Sequence, residues 1–130
     1  MAIDTTVDKR RRLVIRVAHG EINAEQVLAS IQETLNHPDY GPGFKSLTDL
    51  RGIKASGNVD DVKAVGRMIV EQGPKLTGGR AAVVVSDMLS YGMMRMLQGY
   101  TGKSPLEIRV FYDIDEAKDW LDVDEIIDEI

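Results

Sequence analysis

The sequence predicts an α/β fold, a mixed sheet that opens with a hairpin and carries helices packed on it, in the order β-β-α-β-α-β-α-β-α. Three observations predict it. The unbroken apolar run Ala81-Ala-Val-Val-Val85 leaves a Gly78-Gly79 turn and ends at Ser86-Asp87, and a short β-branched run without alternation suits a strand covered on both faces. Two earlier runs alternate, Ile3-Thr5-Val7 and Leu13-Ile15-Val17, with the charged stretch from Asp8 to Arg12 reading as the hairpin turn between them. Stretches with helical apolar spacing then follow the strands, each starting at a side chain able to cap a helix.

The elements follow in order. Gly20 breaks the second strand, and Asn23 with Gln26 three residues on has the form of a capping box. Val27, Leu28, Ile31 and Leu35 make that helix's apolar stripe, and it ends near Asn36 because Pro38 disfavours helix just before it. The stretch from His37 to Phe44 is a loop by composition. A strand over 45–50 ends in Asp49-Leu-Arg51-Gly52, and Asn58 with Asp60 and Asp61 starts the next helix, where acidic side chains favour the dipole. Val62, Val65, Gly66, Ile69 and Val70 are its expected buried stripe, and Gly73-Pro74 stops it. The apolar strand at 81–85 comes next, interior to the sheet, and Ser86 or Asp87 caps the Met-rich helix behind it. A last strand over 108–111 and a closing helix capped by Asp113 or Asp115, with Ala117, Trp120 and Leu121 inward, complete the layers. The acidic tail 122–130 places Val123, Ile126, Ile127 and Ile130 on one helical face, suited to packing on its own domain, a dimer mate or a partner.

Composition bounds the function. The 130 residues make one domain, 43% hydrophobic and 28% charged, the profile of a soluble globular chain. No apolar run approaches the roughly 18 residues that a membrane span needs, and no signal peptide is read at the start. Cysteine is absent, which removes disulfides, thiolate metal sites and thiol nucleophiles, and agrees with an expected cytoplasmic location. A net charge of -5 argues against nucleic acid as a partner, since that needs a basic face. The cluster Lys9 to Arg12 reads as a solvated turn that also protects a sheet edge.

With that order in view, the chain resembles the STAS-like family, whose members include the sporulation anti-sigma-factor antagonists. The resemblance is carried by the early strand ending in Gly20, by Asp49-Leu-Arg51-Gly52, by Arg80-Ala-Ala-Val-Val-Val-Ser-Asp87, by Tyr91-Gly92-Met93, and by Val110-Phe-Tyr-Asp-Ile-Asp-Glu-Ala-Lys-Asp-Trp-Leu121. It looks most like the small stand-alone bacterial members, and the related CRAL-TRIO domains hold a hydrophobic ligand. In the antagonists a serine between the third strand and its helix is phosphorylated by a partner kinase. The resemblance therefore implies Ser56 as a candidate phosphosite, although the loop is shorter than the family pattern and lacks its Asp-Ser-Ser-Gly run. Added charge there would favour the helix dipole.

Other chemistry is thinly represented. Gly99-Tyr-Thr-Gly102-Lys103-Ser104 ends like a phosphate-binding loop, but Leu97 stands where the motif needs glycine, and the segment follows a helix; it reads as a glycine turn closing the helix. His19 and His37 have no local second ligand, so neither a metal nor a cofactor is expected. Asp49 and Arg51 leave the carboxyl end of an interior strand, where open α/β sheets bind ligands, and are candidates for a ligand or partner loop; a salt bridge or loop capping is the plainer role. The Met-rich helix is the most informative feature. Leu89, Met93, Met96, Leu97 and Tyr100 fit one stripe, while Met88, Tyr91 and Met94 widen it beyond what a one-sided helix requires. Methionine adapts to irregular apolar surfaces, so Met88, Tyr91, Met93, Met94, Met96, Leu97 and Tyr100 are candidates for an apolar groove or a dimer surface, with plain core as the alternative. Gly92 in mid-helix, at about 1 kcal/mol relative to alanine, points to a close backbone approach. The expected function is a non-catalytic regulatory protein-interaction module, self-associating as a homodimer. The alternative is a small carrier or sensor of an apolar or lipid-like molecule held between the Met-rich helix and the sheet, and the third is an enzyme using Asp49 and a histidine.

Overall fold

A computed structural model describes residues 2–123; the expected amphipathic face of the tail, apart from Val123, lies outside the described residues. Strands β1 (Ile3–Asp8), β2 (Leu13–Gly20), β3 (Lys45–Ile53), β4 (Arg80–Val84) and β5 (Glu107–Phe111) alternate, after the initial hairpin, with helices α1 (Ala24–Leu35), α2 (Val59–Glu71), α3 (Met88–Tyr100) and α4 (Ile114–Leu121). The sheet runs β1-β2-β3-β4-β5, in chain order. The first pair is antiparallel, and β2 through β5 are parallel. The apolar run of β4 is interior, between β3 and β5, and Ala82, Val84 and Val85 are fully covered.

Chain order in the sheet has a direct consequence. When each right-handed crossover steps to the next strand on the same side, successive helices stay on one face. Helices α1, α2 and α3 accordingly pack in a row on one face, while α4, which follows the last strand, folds onto the other. Strand alternation divides the residues between them. Leu13, Ile15, Leu47, Ala82 and Val84 meet Ala117 and Leu121 of α4, whereas Ala18, Leu50, Val83 and Ile108 meet the α1–α3 layer.

The helix starts are set by the caps expected. Asn23 and Gln26 form the reciprocal capping box, the Asn58 side chain accepts from Asp60 and Asp61, Asp87 caps α3 through the Ser90 amide, and Asp113 caps α4. Four expectations need correction. Val70 is exposed, because the buried line of α2 passes through Val62, Val65, Gly66 and Ile69. Helix α3 ends not on a glycine turn but on Thr101, whose amide and hydroxyl both donate to the Leu97 carbonyl. Gly92 faces open space, so no neighbour's backbone approaches it; the close approach is at Gly66, where an added Cβ would stand 3.0 Å from the Tyr100 Cβ. Most informative is α1: the expected stripe Val27, Leu28, Ile31 and Leu35 is only half-buried, and the buried residues are Ser30 and Thr34.

Candidate ligand cavity

Two buried hydroxyls on an amphipathic helix need partners, and they find them across the layer on β2. The Arg16 guanidinium donates through Nε to Ser30 Oγ at 3.2 Å and through Nη2 to Thr34 Oγ1 at 2.8 Å. Thr34 is free to accept because its own proton goes back to the Ser30 carbonyl at 3.0 Å. Ser30 Oγ also meets Thr5 Oγ1 at 3.1 Å. In the sheet register Arg16 stands between Thr5 of β1 and Thr48 of β3, so a polar row crosses the inner face of an otherwise apolar layer.

That row lies in the wall of a cavity of about 230 Å³ between the sheet and helices α1, α2 and α3. The volume is several times the roughly 30 Å³ share of one water and exceeds the ~150 Å³ engineered void that takes up benzene. Its wall is largely aliphatic: Val14 and Ala18 of β2, Leu50 of β3, Val83 of β4, Val27 and Ile31 of α1, Val62, Val65 and Ile69 of α2. The lining runs from the loop 54–58, where β3 gives way to α2, to Tyr40, Phe44 and Leu76 near the opposite ends of the strands. The space is partly open to solvent, a cleft into the layer between helices and sheet rather than a sealed void.

The charge in this wall has no acidic counterpart. Among the described residues no carboxylate pairs with Arg16, and its Nη1 has no acceptor. Arg16 is half-buried, and the desolvation of its guanidinium lowers its pKa to about 10 against a smaller opposing influence of Tyr40, so the group is cationic at neutral pH. Burial likewise raises the Tyr40 phenol, which keeps its proton. No described polar side-chain atom is both sealed from solvent and unpartnered; the Arg16 Nη1 therefore borders open space rather than packed protein.

The residues singled out in the sequence are distributed unevenly around this site. Met93, Met94 and Leu97 line the cavity from α3. Met88, Tyr91, Met96 and Tyr100 do not: Met88 is 85% exposed, and Tyr91 stacks on Tyr112 with ring centroids 4.8 Å apart. Ser56 and Gly57 of the loop 54–58 border the cavity. Ser56 is exposed two residues ahead of the α2 cap, and its Oγ accepts from the Asn58 amide at 3.3 Å. Asp49 and Arg51 are held elsewhere. Asp49 points to the α4 face, in register with Val17 and Val84, and Arg51 clamps it through Nε and Nη2, both at 2.9 Å. Burial works to raise the Asp49 carboxyl, but the hydrogen bonds and charge of Arg51, with a contribution from His19, outweigh it and hold it below its usual 3.8. The two side chains form a bidentate ion pair, with the Arg51 side chain still partly exposed. Among the described residues no three His, Asp or Glu side chains converge on a common point, and no helix is long and apolar enough to cross a membrane.

Of the residues singled out in the sequence on α3, Met93, Met94 and Leu97 border the cavity; Arg16, Ser30, Thr34, Thr48 and Tyr40 border it too and were not singled out. The available signal was an arginine inside a run of aliphatic residues, together with a Ser and a Thr four apart on a helix otherwise apolar on that side.

A comparison with protein-family models finds no match, and neither does one with curated proteins. Among solved structures the chain is similar to an uncharacterised protein of the DUF3478 family from Shewanella loihica PV-4, described as having a SpoIIAA-like fold. The TM-score is 0.61 and the identity 18%, over 92% of this chain and 94% of that one. The element order, the sheet and this likeness agree: the chain has a SpoIIAA-like, STAS-like fold.

Proposed function

We propose that the protein is a small non-catalytic binding domain that encloses an apolar or amphipathic small molecule between its α1–α3 layer and the sheet, as a carrier or sensor. The observation that carries this reading is the aliphatic cavity of about 230 Å³, on the face where the methionines of α3 supply adaptable walls. The reading is non-catalytic because Asp49, the carboxylate considered for catalysis, is engaged by Arg51 on the other face of the sheet. Native mass spectrometry of the purified full chain tests it. A retained adduct of small-molecule mass is the expected result, or, after extraction, saturable uptake of an apolar fluorophore that Met93→Trp blocks by filling the space. A clean mass with no saturable uptake overturns the reading.

A second reading, the regulatory interaction module that self-associates, is favoured by one surface feature. Met88, Leu89 and Val59 are large apolar side chains that stand exposed, and Leu89 reaches over Gly57 in the loop 54–58, 3.5 Å from where a Cβ would sit. Ser56 lies in the same loop, where phosphorylation would add charge beside that surface. A concentration-dependent dimer in sedimentation that Met88→Glu dissociates is the result this reading expects, and a monomer at all concentrations removes it.

A further inference from the structure

The cavity wall holds one feature that an apolar ligand would not need. A guanidinium has five N–H donors in a planar fork, and in Arg16 only Nε and one Nη2 bond are committed to protein, to Ser30 and Thr34. These two bonds fix the plane of the group from the α1 side and leave Nη1 without a partner among the described residues. Three hydroxyls of the same lining are also without a hydrogen-bond partner among the described residues. Thr48 is the cross-strand neighbour of Arg16, Ser46 lies two residues before it on the same face of β3, and Tyr40 borders the same cavity. All of them line the cavity.

A buried cation without a counter-charge is costly, and proteins pair such groups or neutralise them. Here the protein supplies hydroxyls, which can solvate the guanidinium but cannot cancel its charge. The other cations in the lining are engaged elsewhere: Lys45 donates to the Leu121 carbonyl on the α4 face, and Lys54 stands 3.9 Å from Glu21. Asp61, the one carboxylate of the lining, belongs to the first turn of α2 beside the loop 54–58, away from Arg16 on the middle of β2. The pattern is a largely aliphatic chamber in which Arg16 is the cation not engaged by a carboxylate or a backbone carbonyl among the described residues, with hydroxyl donors in the same lining.

We propose that Arg16, with Thr48, Ser46 and Tyr40, is an anion seat, and that the ligand is an amphipathic monocarboxylate whose apolar body fills the chamber and whose carboxylate receives Nη1–H and the hydroxyl protons. This deepens, and rests on, the reading of the cavity as a ligand site. A carboxylate fits better than a phosphate monoester, because the seat offers one cation and no helix N-terminus, which balances a single negative charge but not two. Ser30 and Thr34 are positioning residues that hold the fork in plane.

Calorimetric titration of the extracted full chain with octanoate and with 1-octanol at pH 8 tests the seat. The wild type is expected to bind octanoate at least tenfold more tightly than octanol, the range for a charge-assisted hydrogen bond. Arg16→Met is expected to lose that preference while binding octanol as before. Thr48→Val, which removes only a hydroxyl, serves if Arg16→Met does not fold, and should weaken octanoate several-fold with octanol unchanged. Equal binding of octanoate and octanol by the wild type, or an octanoate affinity indifferent to both substitutions, overturns the anion seat and leaves the cavity reading standing. Binding of neither probe overturns both.

Discussion

The two faces of this sheet are built from the same strands and do different things. On the α4 face, Leu13, Leu47, Ala82, Val84, Ala117 and Leu121 are completely covered, and the rim is closed by Trp120, bracketed by the Arg80 and Arg109 guanidinium groups at 5.5 and 5.4 Å. On the α1–α3 face the strands contribute Ser46, Thr48 and Arg16 among the aliphatics, and three helices border a partly open cavity there. One helix packed tightly secures the fold, so the three-helix side is free to hold space. The division teaches that burial on both faces does not mean equal packing on both faces.

The largest expected effect compares two leucines of one strand. Leu47 points to α4 and has no exposure, whereas Leu50 points to the cavity and already borders empty volume. Leu47→Ala should cost about 4 kcal/mol, near the top of the range for a side chain removed from a rigid site, and Leu50→Ala about 2 kcal/mol, because fewer contacts are lost. Urea unfolding of the two variants measures this. Equal costs would break the distinction between the faces.

How much of this was legible in the sequence follows from the same division. The element order could be read because local signals set it: the Asn23–Gln26 box, the Asn58, Asp87 and Asp113 caps, and the charged turn at Asp8 to Arg12 act within a few residues. The cavity face could not. Alternation identifies an inward face only when the other face meets water, and β2 is covered on both, so Arg16 carried no mark of pointing into a chamber. In α1 the apolar stripe and the two hydroxyls share the side that faces the sheet, and Ser30 and Thr34 are the more deeply buried because Arg16 is there to satisfy them. The helical spacing of Ser30 and Thr34 could be read in the sequence, but their partner on another element could not. The same limit explains α3, where only Met93, Met94 and Leu97 of the broad apolar set reach the cavity.

The next comparison sets the two charges against each other. Asp49 is buried with its partner in place, and Arg16 is desolvated without one. Replacing an under-compensated buried charge by an apolar side chain of similar length is neutral or stabilising, so the ligand-free Arg16→Met protein should be as stable as the wild type or up to about 2 kcal/mol more so. Asp49→Asn should instead cost about 1 kcal/mol at neutral pH, a modest figure because Arg51 is well exposed to solvent. The sign of its pH dependence follows from the lowered pKa: the Asp49 carboxylate stabilises the fold above its ordinary value of 3.8, and this contribution is lost as pH falls through the depressed folded value. The gap between wild type and Asp49→Asn is therefore widest above pH 4 and closes in acid. Thermal unfolding across pH reads both; an Arg16→Met variant clearly less stable than wild type would make Arg16 a structural strut and remove the contrast.

The smallest effect tests where the helix layer is tight. If the space in that layer lies between helices and sheet, the helices themselves should be closely packed side by side, and Gly66 is where α2 and α3 meet: a Cβ there would stand 3.0 Å from the Tyr100 Cβ, which belongs to the helix and has little room to yield. Gly92, one face round on α3, has nothing within 4 Å of an added Cβ and no positive φ. Alanine at 92 should then gain the helix propensity difference, about 0.5–1 kcal/mol, while alanine at 66 gains the same propensity but loses more by forcing the helices apart, for a net cost of about 1 kcal/mol. Chemical unfolding of both variants separates the two terms because the substitution is the same in each. If Gly66→Ala were stabilising like Gly92→Ala, the helices would have slack between them, and the cavity would be one part of a loosely packed layer rather than a space enclosed by a firm one.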